Sequence, residues 1–194
     1  MRRLVCWPDP STSLLRVRLA TIAGALAASL GQMVAGLSRK KKSQAAHVDK
    51  LSAELDELRR SADELTEAID RDAASYEAVI EAFKLPQGNA DEVQKRETSI
   101  QSATKGAADV PMQVAERTVA LFERLGQLEA IAAASMRSDL EVGRYIAAAG
   151  ARGALANVEI NLDGITDSAY VALMREKIAS LRERLGNAPG SSTA

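Results

Sequence analysis

Cysteine and histidine occur once each in this chain of 194 residues, as Cys6 and His47. A lone cysteine cannot close an internal disulfide, a zinc site of His and Cys ligands cannot be assembled from one of each, and Cys–His nucleophilic catalysis is poorly served. Aromatic residues make up only 3% of the sequence, which argues against β-sheet. Charge of one sign is also lacking. With 25 Lys and Arg against 26 Asp and Glu, the formal net charge of −1 gives no general attraction to nucleic acid or to an anionic membrane. The composition therefore favours a cytoplasmic chain that deals with small molecules or other proteins.

Alanine, leucine, glutamate and arginine dominate what is present, which is the vocabulary of helices. A hydrophobic content of 46% over this length is enough for one domain with a real core. The clearest pattern lies between residues 48 and 83. Val48, Leu51, Leu55, Leu58, Ala62, Leu65, Ile69, Asp72, Tyr76, Val79 and Phe83 recur at steps of three and four, the spacing of one helix face. Asp72 alone breaks the stripe. An ionised carboxylate buried without partners costs several kcal/mol, so a chain that keeps one there pairs it, protonates it or uses it. A satisfied structural aspartate near a helix end is the plain alternative.

The remaining segments read as helices almost throughout. Residues 1–13 contain Pro8 and Pro10 and have no period, so an irregular N-terminal segment is expected, with residues 1–19 set apart from the domain. Residues 14–38 form a small-residue helix in which Ala20, Gly24, Ala27, Ala28 and Gly31 thin one face for close backbone approach. After Arg39, Lys40, Lys41 and Lys42 comes the long helix, at about 44–84, stopped by Leu85–Pro86. Asn89 should cap a third helix to about Ala108, and Pro111 should open a fourth running to about residue 133. Ser138 with Glu141 reads as a capping box for a fifth. Thr166 or Asp167 starts a sixth, which ends at Gly186 before a disordered tail at 187–194. The expected fold is all-α: a single antiparallel helical bundle over residues 20–186, with exposed Ala/Gly faces suited to a homodimer.

The stretch Leu19–Leu37 is apolar and flanked by cations, as a membrane anchor would be. Much of it is Ala and Gly, which contribute little to insertion, so a buried bundle helix is favoured and a membrane role is not expected.

Taken in order, the segments IAGALAASLGQMV, RKKK, IDRDAASYEAVIEAFKLP, RETSIQSATKGAADVPMQVAE, RSDLEVG and NVEINLDGITD resemble the cyclodeaminase/cyclohydrolase family of folate one-carbon metabolism, over about residues 20–185. The resemblance implies an all-α bundle, usually dimeric, that takes a tetrahydrofolate derivative as substrate and needs no cofactor or metal. It places the family's inward aspartate on Asp72 and its Ser-Asp pair on Ser138 and Asp139, with Asp72 and Asp139 as the catalytic candidates. Lys41, Lys42, Ser138, Asn157 and Asn161 then become candidates for substrate binding. Helix capping by Ser138 and Asp139, and hydrogen bonding within a buried turn by Asn157 and Asn161, are the structural alternatives.

The reaction implied is cyclodeamination of 5-formiminotetrahydrofolate to the 5,10-methenyl form and ammonia, with methenyl cyclohydrolysis as the alternative. A carboxylate in an apolar wall can move the proton in either. The family's glycine-rich loop before the Ala-rich helix is replaced here by STSLLRVRLA. That departure raises two further readings: a degenerate, non-catalytic helical dimerisation protein, or a misassigned frame or start over residues 1–19.

Overall fold

Apolar side chains at steps of three and four draw the chain from Val48 to Lys84 into one helix with its stripe turned inward. The computed structural model describes residues 10–186, with side chains from Val17 onward; the expected tail at 187–194 lies outside the described residues. The described residues form five helices: α1 (Pro10–Ser38), α2 (Val48–Lys84), α3 (Ala90–Leu128), α4 (Arg137–Leu162) and α5 (Ser168–Gly186), with 3-10 turns over Lys42–His47 and Ala134–Met136. Among the described residues there is no strand. On α2, Leu51, Leu55, Leu58, Leu65, Asp72 and Val79 are buried, while Val48 and Phe83 at the ends of the stripe are exposed.

Local signals set most boundaries. Leu85, extended before Pro86, ends α2. The Asn89 side chain accepts from the Glu92 amide at 2.9 Å and so caps α3, and the Glu92 carboxylate accepts from the Gly88 amide at 2.7 Å. Asp167 starts α5 by accepting from the Ala169 and Tyr170 amides, both at 3.1 Å. Two boundaries differ from expectation. α1 begins at Pro10, inside the segment expected to be irregular, because a proline suits the first helical turn. Ser138 does not cap α4. The chain enters that helix through the Ala134–Met136 turn, so α4 starts two residues earlier, with Met136 at the cap position, and Ser138 falls within the first turn.

The larger correction concerns Pro111, which opens no helix but lies inside α3. A proline within a helix removes one amide and orphans the carbonyl four residues back. That carbonyl belongs to Ala107, and the Asn161 side-chain amide of α4 donates to it at 2.7 Å in the buried interior. The third and fourth expected helices are therefore one continuous helix.

Helices α1 to α4 run up and down around a shared core. Gly24 lies against Leu65 and Gly31 against Leu58, so α1 and α2 are antiparallel. Gly143 lies by Ala27 and Leu30, and Gly150 by Ala20 and Ala23, so α4 is antiparallel to α1 as well. The pairs Arg124–Glu54 and Arg117–Glu64 set α3 antiparallel to α2. Small residues do what the sequence predicts. A Cβ on Gly150 would stand 2.9 Å from the Ala20 carbonyl oxygen, and one on Gly31 would stand 2.6 Å from a Leu125 methyl. α1 is thus close enough to meet α3 across the bundle as well as α2 and α4 at its sides.

α5 runs parallel to α3, tied by Lys105–Asp167, Lys177–Glu116 and Arg184–Glu123. Such exposed pairs are worth at most about 1 kcal/mol each, whereas fully buried apolar side chains such as Met174, Ile178, Leu181 and Leu185 contribute roughly 1.5–3 kcal/mol apiece. α1 is long and apolar enough to cross a bilayer by length and composition, yet its inner face packs within this core.

Two stability measurements check this packing. Gly150→Ala should lower stability by about 1–2 kcal/mol, because the new methyl meets backbone, while Gly106→Ala, with open space at its Cβ, should raise it by about 0.5–1 kcal/mol. Asn161→Ala should cost about 1–3 kcal/mol by stranding the Ala107 carbonyl. In a Pro111→Ala background, where an amide returns at position 111, that cost should shrink, and urea denaturation of the four proteins gives the coupling. Additive losses would show that Asn161 acts elsewhere.

Candidate functional site

Asp72 follows Leu65 by two helical turns and precedes Val79 by two, and both neighbours are buried on the same face of α2. It is itself 6% exposed. Among the described residues its carboxylate has no hydrogen bond and no ion pair within salt-bridge distance; Ser75 donates only to its backbone carbonyl. Burial pushes the Asp72 carboxyl up to about 6, opposed by the positive charge of Arg18 on α1. A carboxyl near 6 exchanges its proton readily at neutral pH, which suits an acid or a base.

The same end of the bundle holds the two candidate asparagines, one turn apart on the inner face of α4. Asn161 is engaged by the Ala107 carbonyl, which gives it the structural role already described. Asn157 is different. It is 2% exposed, and its Oδ1 has no hydrogen-bond partner among the described residues. A buried amide oxygen left free is unusual and is available to a donor on a ligand.

Lys41, Lys42, Ser138 and Asp139 lie at the opposite end. Lys41 Nζ donates to Ser135 Oγ at 2.8 Å, and buried Ser38 accepts from the Ala133 amide at 3.0 Å, binding the α1–α2 connection to the entrance of α4. Asp139 sits in the first turn of α4, where a carboxylate suits the helix dipole. From Val48 to Asp72 the helix rises about 36 Å at 1.5 Å per residue, so the lysines and Asp72 of one chain cannot hold the same small ligand. The candidates form two groups within a protomer, not one site.

Sequence reasoning treated Arg39 and Lys40 only as part of a basic run. They line a groove of about 440 Å³ between α1 and α2, together with Arg59, Gln32, Met33 and Leu37. The run was visible, but Arg59 joins it only because α2 folds back along α1. A second groove of about 370 Å³ runs between α2 and α3 beside Ala68, Arg71 and Arg117; it reaches Arg71, the neighbour of Asp72 in sequence, but Asp72 does not line it. Among the described residues no cluster of three His, Cys, Asp or Glu side chains is placed to hold a metal ion.

Comparison with known proteins now bears on this geometry. The family model described as formiminotransferase-cyclodeaminase matches residues 19–180. The formimidoyltransferase-cyclodeaminase of Sus scrofa is 33% identical over 164 residues, covering 84% of this chain but 30% of that protein. The methenyltetrahydrofolate cyclohydrolase of Methylorubrum extorquens is 32% identical over 173 residues, covering 86% of this chain and 80% of the relative. The chain therefore spans about 30% of the length of the first relative and most of the second. A crystal structure of formiminotetrahydrofolate cyclodeaminase from Thermotoga maritima superimposes with a TM-score of 0.79 at 24% identity, over 89% of this chain and 82% of that one, a likeness of fold.

The burial of Asp72 has a pH signature. Its folded value lies above the ordinary 3.8, so its contribution favours folding at low pH and is lost as pH rises through about 6. Asp72→Asn should therefore be more stable than the parent at pH 8, by on the order of 1–3 kcal/mol, with the gap closing below about pH 4. Equal stability of the two proteins across that range, by thermal melts, would put the carboxylate in water.

Proposed function

From the premise that this chain belongs to the formiminotransferase-cyclodeaminase family, we propose that it is a folate one-carbon enzyme, a formiminotetrahydrofolate cyclodeaminase. The single observation that carries the reading is Asp72, a buried carboxyl on a core stripe with no partner among the described residues and a proton held to about pH 6.

In this reaction N10 of 5-formiminotetrahydrofolate attacks the formimino carbon. The carbon becomes tetrahedral, bonded to N5, N10 and an amino group, and the N10 proton moves to that nitrogen. Loss of ammonia needs one further proton on the leaving amine, and breaking the carbon–nitrogen bond leaves the 5,10-methenyl cation. Asp72 fits both demands. Protonated, it donates to the leaving amine; the carboxylate so formed then faces the positive charge that appears on the product. The apolar wall of Leu65, Ala68 and Val79 keeps the dielectric low and strengthens that attraction. The free amide oxygen of Asn157 is suited to accept from an N–H of the ligand. The anionic glutamate tail of the folate calls for cations; Lys41 and Lys42, with Ser138 nearby and Asp139 in a supporting role, lie too far from Asp72 within one chain to share its ligand, so as tail contacts they would come from the second chain of a homodimer.

Methenyl cyclohydrolysis is the second reading, favoured by the 80% coverage of the Methylorubrum extorquens relative. There the ionised carboxylate would take a proton from water as it attacks the methenyl carbon.

The two readings differ in the sign of their pH dependence. With Asp72 as general acid, deamination should slow as pH rises through about 6; with Asp72 as general base, hydrolysis should speed up over the same interval. Methenyltetrahydrofolate absorbance follows both reactions. Asp72→Asn should lower turnover by about 10² to 10⁴ with little change in substrate affinity, and Asp139→Asn should lower it less. Near-normal turnover in Asp72→Asn would remove it from the chemistry, and an inert parent on both substrates would leave a non-catalytic helical protein.

A further inference from the structure

Arg18 and Asp72 carry opposite charges that no third group claims. The Asp72 carboxyl is buried on α2 without a hydrogen bond or ion pair, and Arg18 is exposed on α1 with neither among the described residues. A contact further along the same two helices sets their relation: the Gln32 side-chain amide of α1 donates to the Leu58 carbonyl of α2 at 3.3 Å. Because α1 and α2 are antiparallel, a step of about four turns toward the start of α1 matches the same step toward the end of α2. From Gln32 that step reaches Arg18, and from Leu58 it reaches Asp72. Gly31 against Leu58 and Gly24 against Leu65 mark the same register at two-turn intervals, and the next interval sets buried Val17 at Asp72. Arg18 therefore stands on the flank of α1 that leans over α2, level with the carboxyl and on its solvent side.

The neighbouring charges are engaged elsewhere or turned to water. On α2, Asp70 is exposed, Arg71 lies 3.9 Å from Glu67, and Tyr76, one turn beyond Asp72, is half-buried. On α3, Asp109 accepts from the Tyr170 hydroxyl at 2.7 Å, and Lys105 donates to Asp167 at 2.7 Å. Arg18 is the cation left for the Asp72 site, and its charge is felt there, since it opposes the rise that burial gives the Asp72 carboxyl. Arg18 also belongs to the segment STSLLRVRLA, by which this chain departs from the family's glycine-rich pattern, so what it does is particular to this chain.

A guanidinium beside a proton-exchanging carboxyl can hold an acceptor oxygen of a ligand while the carboxyl works on the adjoining atoms. A reduced folate offers that arrangement: the C4 carbonyl oxygen of its pterin ring projects beside N5, the nitrogen that bears the one-carbon unit. The geometry points to Arg18 as a specificity-determining residue that donates to the pterin C4 carbonyl and so holds the one-carbon centre against Asp72. This assignment rests on the folate reading. A guanidinium has only hydrogens to offer, so it selects a ring oxygen over an amino group at the same position. Its exposure to water screens it from the cation that forms at the one-carbon centre, whereas the buried carboxylate meets that cation at low dielectric.

Two experiments decide it. Calorimetry compares tetrahydrofolate with its analogue bearing an amino group in place of the C4 carbonyl oxygen. The parent should bind the carbonyl form about tenfold or more tightly, Arg18→Lys should keep most of that preference, and Arg18→Gln, whose amide can turn either end to the ring, should bring the two within about threefold. No preference in the parent, or one unchanged in Arg18→Gln, would overturn the assignment and leave the folate reading intact. Binding of neither ligand by the parent would sink the folate reading and the assignment with it. The second experiment needs no folate. Thermal melts against pH follow the loss of the Asp72 contribution to stability through about pH 6. Arg18→Gln removes the charge that opposes burial, so that loss should move to higher pH, while Arg18→Lys should leave it in place. An unmoved transition in Arg18→Gln would show that the guanidinium does not face Asp72 and would overturn the proposal as well.

Discussion

The bundle depends on α3 running unbroken through Pro111, and one buried hydrogen bond makes that possible. α3 is the helix that touches all the others: α2 and α4 along its sides, α1 across the core and α5 on its outer face. Were it to break at Pro111, the segment before the proline would be free to diverge from the segment after it, and α5 and the Asp72 end would lose a common wall. The Ala107 carbonyl is the weak point, since the proline ring removes the amide that would have paired it. Asn161 closes the gap from α4. The site residue that the family resemblance suggested for substrate is thus one on which the scaffold already relies.

That case shows where the sequence was legible and where it was not. The stripe of α2 could be read because its period is a local property, and the Asn89 and Asp167 caps could be read because a short polar side chain and the next two or three amides lie within a few residues. The small face of α1 could be read as a packing surface, and Gly24, Gly31 and Ala27 do admit neighbouring helices. Pro111 could not be read correctly, because its tolerance is set by a residue 50 positions away in sequence. Ser138 matched a capping box, but the 3-10 turn before it, pinned by Ser38 and Lys41 from another part of the chain, fixed the start of α4 two residues early. Spacing along the chain also gave no warning that Lys41 and Asp72 sit at opposite ends of a long rod.

Asp72 itself was legible for a sound reason. A charge on a core stripe violates the local pattern, and violations of that kind concentrate where a protein does something other than fold. Its position between Ala68 and Val79 holds it among apolar groups, and Arg18, which opposes this from α1, is too exposed to restore an ordinary titration. The resulting carboxyl costs stability at neutral pH and exchanges its proton within reach of neutrality, as an acid or a base must.

α1 inverts the usual helix. In most bundles the large side chains point inward and small or polar ones face water. Here alanine and glycine face inward, so that backbones can close on α2, α3 and α4, and leucine, isoleucine and methionine are pushed outward. The inversion has a physical cost on both sides: close packing gains contact only while the inner face stays small, and the outer face gains nothing until something covers it. The same choice of residues that lets three helices approach α1 within the chain therefore leaves Leu19, Ile22, Leu26, Met33 and Leu37 on its outer side.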